Sequence, residues 1–266
     1  MLADPSPCFL DLAPRSPKPR MAGLTHVLDK GCTVSHTRDV IQQAAGMIDI
    51  WKFGWGISYI DPNVRTKVAE LREAGIKTCT GGTLMEISRL QDQVGPMLRF
   101  AAEVGFDCVE ISDGASEIPV AEKQALISRA RDTGFEVLAE VGSKDPNQTA
   151  DAEDWIAEIE GDLAAGASWI VAEGRESGTV GLYQSDGRAR CTLIEALMRS
   201  EYADKMIFEA PRRDQQVLLI SHFGSEVNLG NIQLDEVLGL ETLRLGLRAD
   251  TMRTEHVKKA GADVRL

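Results

Sequence analysis

The chain has 266 residues, a formal net charge of −12 at pH 7 and a pI near 4.9. This length suits one large α/β domain or two small ones, and an apolar content of 43% can fill a sizeable core. The negative charge argues against non-specific binding to nucleic acid or to an anionic membrane surface, although local basic groups can still bind a small anionic substrate. No apolar run reaches the roughly 18 residues of a membrane span, so we predict no membrane insertion.

The N-terminus is rich in proline, and its only apolar stretch is Cys8-Phe9-Leu10. This stretch is too short for the apolar segment of a signal peptide. We therefore predict residues 1–20 to be a flexible extension and residues 21–266 to be the folded domain. The 5 cysteines are scattered, odd in number and without CxxC spacing, which indicates reduced thiols in a cytoplasmic protein.

Short apolar runs, each closed by Gly, Asp, Ser, Pro or Asn, alternate with longer stretches along the whole chain. Continuous apolar runs of this length are typical of parallel strands that are covered on both faces. The predicted strands are Thr25–Leu28, Met47–Lys52, Lys77–Thr80, Cys108–Ser112, Glu136–Val141, Trp169–Glu173, Met206–Glu209 and Glu226–Leu229.

The stretches between these strands carry helix signals. Asp61-Pro62 provides an N-cap and a first-turn proline for a helix that ends at Gly75, and Thr83-x-x-Glu86 matches a capping box. Further helices are predicted over Ser116–Thr133, Ala150–Ala165, Asp214–His222 and Leu234–Leu247. Strict alternation of strand and helix predicts an α/β fold, a single (β/α)8 TIM-type barrel; a doubly wound open sheet is the alternative.

Four successive predicted strands carry a glutamate at or near their C-terminal end: Glu110, Glu140, Glu173 and Glu209. Burying an unpaired carboxylate is costly, so carboxylates that converge need a cation or basic partners. Hard oxygen ligands without His or Cys nearby favour Mg²⁺ or Mn²⁺. We predict Glu110, Glu140 and Glu173, on neighbouring strands, to be metal ligands; the alternative is that each pairs with a neighbouring Lys or Arg.

Basic residues also follow the predicted strands, and a substrate rich in negative charge would explain them; simple neutralisation of the glutamates is the alternative. They are Lys30, Lys52, Lys144, Arg175 and Arg212. The Gly81-Gly82-Thr83 turn opens a helix, whose free N–H groups can hold an anion. Asn228-Leu229-Gly230-Asn231 follows the last predicted strand, where barrels often bind phosphate. Either turn can also be purely structural.

Taken together, these stretches resemble the phosphosulfolactate synthase family, over about residues 23–252 and in the same order. Glu173-Gly174-Arg175-Glu176-Ser177-Gly178 and Asn228-Leu229-Gly230-Asn231 are the most specific matches. The other matching stretches are Lys52-Phe53-Gly54-Trp55-Gly56, Gly81-Gly82-Thr83-Leu84, Glu110-Ile111-Ser112-Asp113-Gly114, Glu140-Val141-Gly142-Ser143-Lys144, Glu209-Ala210-Pro211 and Gly246-Leu247-Arg248-Ala249-Asp250-Thr251.

The resemblance implies a barrel that uses Mg²⁺ to add sulfite to phosphoenolpyruvate. The product would be (2R)-2-phospho-3-sulfolactate, which makes the enzyme a carbon–sulfur lyase, and it would enter sulfolactate or coenzyme M synthesis. For this reaction we expect Lys144 to be the general acid. We expect Lys52, Arg175 and Arg212 to bind phosphate and sulfite, together with Gly81, Gly82, Asn228 and Gly230.

Two other functions remain open from the sequence. One is a metal-dependent lyase or aldolase that acts on another phosphorylated enolate. The other is a non-catalytic barrel, because plant heat-stress-associated proteins look like relatives of the same family. That reading predicts eroded strand ends, whereas Glu110, Glu140, Lys144, Glu173 and Arg175 are all present. Barrels of this kind often self-associate, so a homo-oligomer is a further expectation.

Overall fold

In the computed structural model, which describes residues 9–114, 118–142 and 151–253, eight parallel strands form a closed barrel in sequence order. The chain is a single (β/α)8 TIM-type barrel, as the alternation of strand and helix predicts. The strands are β1 (Thr25–Asp29), β2 (Ile50–Phe53), β3 (Lys77–Thr80), β4 (Cys108–Ile111), β5 (Glu136–Val141), β6 (Trp169–Ala172), β7 (Met206–Glu209) and β8 (Leu229–Gln233).

Helices surround this barrel, and none in the described part of the chain is long and apolar enough to cross a membrane. They are α1 (Val34–Ala44), α2 (Ile57–Ile60), α3 (Val64–Glu73), α4 (Gly82–Leu90), α5 (Val94–Val104), α6 (Val120–Asp132), α7 (Ala152–Ala165), α8 (Cys191–Arg199), α9 (Arg213–Phe223) and α10 (Val237–Arg244). Short 3-10 turns cover Ala45–Met47, Ala203–Lys205 and Leu234–Glu236.

Side chains alternate between the two faces of each strand, and this alternation builds two separate cores. On β5, Val137 and Ala139 belong to the large core between the barrel and its helices, whereas Leu138 belongs to a smaller cluster inside the barrel. The next inward position is Glu140, which is 4% exposed. The barrel interior is therefore apolar near the N-terminal ends of the strands and charged near their C-terminal ends.

The largest difference from the predicted strands is at β8, which begins at Leu229 rather than ending there. Asn228 lies just before the strand, at the N-terminal end of the barrel. Its side chain accepts a hydrogen bond from Leu24 N at 3.0 Å and donates one to Met206 O at 2.9 Å. The expectation that Asn228 follows the strand is therefore wrong, and the side chain joins strand starts at the end of the barrel opposite the predicted site.

The start of α4 also differs from its predicted capping box. The helix begins at Gly82 with Gly81 as its N-cap, and no side chain caps it. Glu86 instead accepts a hydrogen bond from Ser112 Oγ at 2.5 Å, which links α4 to the end of β4. Glu86 thus forms a contact between α4 and β4 in place of the capping contact within the helix that the sequence motif predicts.

Side chains of residues 13–20, which belong to the predicted extension, contact the N-terminal end of the barrel. Arg15 Nε lies 2.9 Å from Glu241 Oε1, and the Arg15 side chain is 9% exposed. Arg20 Nη1 lies 3.1 Å from both oxygens of Asp49. The segment therefore packs across the barrel end that is opposite the predicted site, while residues 1–8 lie outside the described residues.

Candidate active site

A pocket with a volume of about 190 Å³ lies at the C-terminal ends of the strands, which suits a small ligand. Most of the predicted site residues line it, including all three predicted metal ligands. The lining residues are Leu28, Lys52, Gly54, Trp55, Gly82, Thr83, Glu110, Ser112, Glu140, Glu173, Arg175, Glu176, Glu209 and Asn231. This is the end of the barrel where (β/α)8 enzymes place their active sites.

Lys52 lies inside the barrel and joins carboxylates from two other strands. Its Nζ lies 2.9 Å from Glu110 Oε2 and 3.1 Å from Glu209 Oε1, and the residue is 5% exposed. Burial alone would lower the pKa of Lys52, but the charges of Glu110, Glu209 and Glu140 raise it well above its ordinary value. Lys52 is therefore a fixed positive charge.

One ammonium group does not balance all the carboxylates around it. Burial raises the pKa of Glu110, and although Lys52 opposes this effect, the charges of Glu140 and Glu209 add to it. Lys52 also acts on His26, which lies inside the barrel on β1. Burial, with a smaller effect from the charge of Lys52, lowers the pKa of His26 well below its ordinary value, so this imidazole is neutral.

Backbone N–H groups hold the remaining oxygens of Glu110 and Glu209. Glu110 Oε1 accepts a hydrogen bond from Gly82 N at 2.9 Å, and Glu209 Oε2 accepts hydrogen bonds from Gly174 N and Arg175 N, each at 2.9 Å. A Cβ at Gly82 would lie 2.3 Å from Ser112 Oγ, so this close approach requires glycine. The N–H group of Gly82, expected to bind an anionic ligand, is instead used to hold Glu110.

The end of β5, which carries Glu140, is held by a buried lysine on α6. Lys123 Nζ donates a hydrogen bond to Glu140 O at 2.6 Å and lies 2.8 Å from Asp162 Oδ2. Although burial opposes it, the charges of Glu158 and Asp162 raise the pKa of Lys123. The position of the Glu140 backbone is thus set by an ion pair on the outside of the barrel.

All three glutamates predicted to bind a metal ion line this pocket, and their role as metal ligands stays a prediction. Among the described residues, no group of three or more His, Cys, Asp or Glu side chains is arranged to hold a metal ion. Both oxygens of Glu110 accept hydrogen bonds, one from Lys52 and one from Gly82. Glu140 and Glu173 line the same pocket, and Glu173 Oε1 accepts a hydrogen bond from Arg175 N at 2.6 Å. Mg²⁺ commonly takes one or two protein carboxylates together with water and substrate oxygens.

The other predicted binding residues divide by location. Arg175 lines the pocket, with its backbone in the left-handed region at φ 56°. Arg212 does not line the pocket; its Nε lies 3.5 Å from Asp214 Oδ1, and its side chain is 42% exposed. Gly81 packs against the backbone of Trp55, because a Cβ there would lie 2.5 Å from Trp55 N. Lys144 lies outside the described residues.

Glu209 and Asn231 are two of the pocket residues that were given no role from the sequence. Glu209 stood out as the fourth glutamate at a strand end, and the structure makes it the second carboxylate partner of Lys52. Asn231 lies within β8 and lines the pocket. The motif Asn228-Leu229-Gly230-Asn231 contained the signal, but the predicted strand ended at Leu229 and left Asn231 in the loop that follows.

Replacing Lys52 by Met should destabilise the protein by about 3–5 kcal/mol at pH 8, because Glu110 and Glu209 then remain buried without a cation. The loss should shrink at pH 5, because burial raises the pKa of Glu110, which could take up a proton in the folded variant once Lys52 no longer opposes this effect. Urea unfolding at the two pH values measures this. Lys77→Met, which removes an exposed ion pair with Glu136, is the control. An equal loss at both pH values would contradict the ion-pair interpretation.

Solved structures with a similar fold include 3-hexulose-6-phosphate synthase from Salmonella typhimurium, at a TM-score of 0.53 and 12% identity, with 89% of this chain and 97% of that chain covered. A putative fructose-1,6-biphosphate aldolase from Coccidioides immitis matches at a TM-score of 0.52 and 15% identity, covering 90% of this chain and 87% of the other. At these identities the similarity shows the barrel fold alone.

Relatives identified by their sequences are much more similar to this chain. A family described as (2R)-phospho-3-sulfolactate synthase (ComA) matches residues 13–250. The phosphosulfolactate synthase of Methanocaldococcus jannaschii is 44% identical over 234 residues, which cover 86% of this chain and 93% of that protein. The phosphosulfolactate synthase of Bacillus subtilis is 38% identical, over 91% of this chain and 97% of that protein. The chain therefore belongs to the phosphosulfolactate synthase family.

Proposed function

We propose that this protein catalyses the Mg²⁺-dependent addition of sulfite to phosphoenolpyruvate, giving (2R)-2-phospho-3-sulfolactate, and is thus a carbon–sulfur lyase. The observation that carries the proposal is the pocket itself, in a chain that belongs to this family. The pocket combines fixed cationic groups, Lys52 and Arg175, with two carboxylates, Glu140 and Glu173, that suit a hard cation. Small, strongly anionic reactants require both kinds of group.

The reaction explains why the pocket needs both cationic side chains and carboxylates that can hold a metal ion. The sulfur lone pair of sulfite forms a bond to C3 of phosphoenolpyruvate, and the electrons of the C2–C3 double bond move toward C2 and the carboxylate. A proton then adds to C2. The difficult part is the extra negative charge that develops on a group that is already anionic. Electrostatic stabilisation of that charge is the main contribution that a prearranged pocket can make.

Mg²⁺ bound in the pocket would supply electrophilic stabilisation of the substrate carboxylate. Glu140 and Glu173, which both line the pocket, are the residues that would hold it, whereas Glu110 is ion-paired with Lys52.

The proton that adds to C2 must come from a group other than Lys52. The raised pKa of Lys52 keeps its ammonium group charged, and its protons are directed at Glu110 and Glu209. Lys144 is the general acid that the sequence suggests, because it follows β5 closely. A neighbouring dication would lower the pKa of a lysine and so favour proton release. We assign Arg175 to binding phosphate or carboxylate oxygens, since a guanidinium can contact two oxygens at once.

Incubation of the purified protein with phosphoenolpyruvate, sulfite and Mg²⁺ tests the proposed reaction. Phosphorus NMR should show the enol phosphate signal replaced by that of a new alkyl phosphate ester, and only when sulfite is present. Consumption of phosphoenolpyruvate at the same rate without sulfite would favour a different enolate lyase. No turnover by correctly folded protein would favour a non-catalytic barrel.

Replacing Glu140 by Gln should raise the Mg²⁺ concentration for half-maximal turnover by roughly tenfold or more, because a neutral amide is a poorer ligand for a hard cation. Direct titration with Mn²⁺ in the presence of phosphoenolpyruvate, followed by electron paramagnetic resonance, measures metal binding independently of turnover. Glu136→Gln is the matched control, since Glu136 begins the same strand and forms an exposed ion pair with Lys77. Metal titrations that are unchanged in the Glu140 variant would remove Glu140 from the metal site.

A further inference from the structure

Strand β8 contains a bulge beside the pocket. Thr25 of β1 pairs with Leu229, but Val27, two residues later, pairs with Ile232. Two residues of β8, Gly230 and Asn231, therefore lie opposite the single residue His26. Bulges of this kind are frequent at barrel rims and near active sites, where they change the direction of a side chain.

The bulge changes which face of the strand Asn231 occupies. In a regular strand, residues two apart share a face, so Asn231 would point outward together with Leu229. In the structure, Leu229 and Ile232 both pack in the outer core, and Asn231 lines the pocket. The extra residue thus turns the amide of Asn231 toward the pocket.

This arrangement is unfavourable for the free protein. Asn231 has φ 55°, in the left-handed region that side-chain-bearing residues seldom adopt, although asparagine tolerates it better than most. The residue is 4% exposed, and its Oδ1 is buried without a hydrogen-bond partner among the described residues. A Cβ at Gly230 would lie 3.0 Å from both His26 Nδ1 and Ile207 Cγ2, so a larger residue there would need these side chains to shift.

The surroundings indicate what the amide meets when a ligand is bound. Lys52 and Arg175 line the same pocket as Asn231. Glu209, on the neighbouring strand β7, is already held by Lys52 and by two backbone N–H groups, so it does not compete for the Asn231 amide. Rotation about the last side-chain bond exchanges the amide nitrogen and oxygen, so Asn231 can present its N–H group to an anion.

We propose that Asn231 is a substrate-binding residue whose amide donates a hydrogen bond to an oxyanion of the bound substrate. This inference rests on the proposed function and deepens it, because phosphoenolpyruvate and sulfite both offer such oxygens. A left-handed backbone and a buried amide oxygen without a partner are unfavourable features of the kind that concentrate at ligand-binding sites.

Asn231→Gly is the variant that separates binding from folding, because glycine adopts the left-handed backbone without strain. The thermal midpoint of the ligand-free variant should be equal to or higher than that of the wild type. Its affinity for one of the two anions, measured by calorimetry with phosphoenolpyruvate alone and with sulfite alone, should fall about tenfold or more. The anion whose binding weakens is the one that Asn231 contacts.

Asp92→Gly is the matched control, because Asp92 also has a left-handed backbone, at φ 54°, but lies between α4 and α5 and does not line the pocket. It should leave both affinities unchanged. Affinities for both anions within twofold of wild type in Asn231→Gly would overturn the inference. If the wild type binds phosphoenolpyruvate but does not turn it over with sulfite, the proposed reaction fails, whereas weaker binding by Asn231→Gly still supports the role of Asn231.

Discussion

The buried ion pairs of Lys52 are the interaction on which the rest of the site depends. One ammonium group on β2 is held between carboxylates at the ends of β4 and β7. Each of these three side chains would be expensive to bury alone, and removing the cation would leave two uncompensated carboxylates. The closure of the barrel brings the three strands close enough for one charge to serve both partners.

These ion pairs also divide the charges of the pocket into two groups. Lys52 forms ion pairs with Glu110 and Glu209, and both carboxylates also accept hydrogen bonds from adjacent backbone N–H groups. These three side chains therefore form a fixed part of the pocket. Glu140, Glu173, Arg175 and Asn231 line the same pocket and are the side chains that we assign to metal and substrate. Close packing in this fixed part depends on glycine, because a Cβ at Gly174 would lie 2.8 Å from Tyr183 Cε2 and 2.9 Å from Glu209 O. A site with its charges fixed in advance does not have to reorganise as negative charge develops on the substrate.

Much of this architecture could be predicted from the sequence, because it depends on local patterns. Apolar runs located the strands, and β3, β5 and β7 have the predicted bounds. Glutamates at successive strand ends located the pocket. What could not be predicted depends on contacts between distant segments: the choice of Glu110 and Glu209 as partners of Lys52, and the packing of residues 13–20 against the far end of the barrel. The bulge in β8 belongs to the same class, since its position is set by pairing with β1.

Nitrogen-15 NMR of the Lys52 side-chain amino group is the most direct test of whether Lys52 stays charged inside the pocket. A protein labelled at lysine, with Lys52→Met used to assign the signal, would be followed from pH 6 to pH 10. The Lys52 signal should keep the chemical shift of a charged ammonium group over the whole range, because the neighbouring carboxylates raise the pKa of Lys52. A titration midpoint within that range would show that Lys52 can lose its charge, and it would contradict the role of Lys52 as the fixed cation of the pocket.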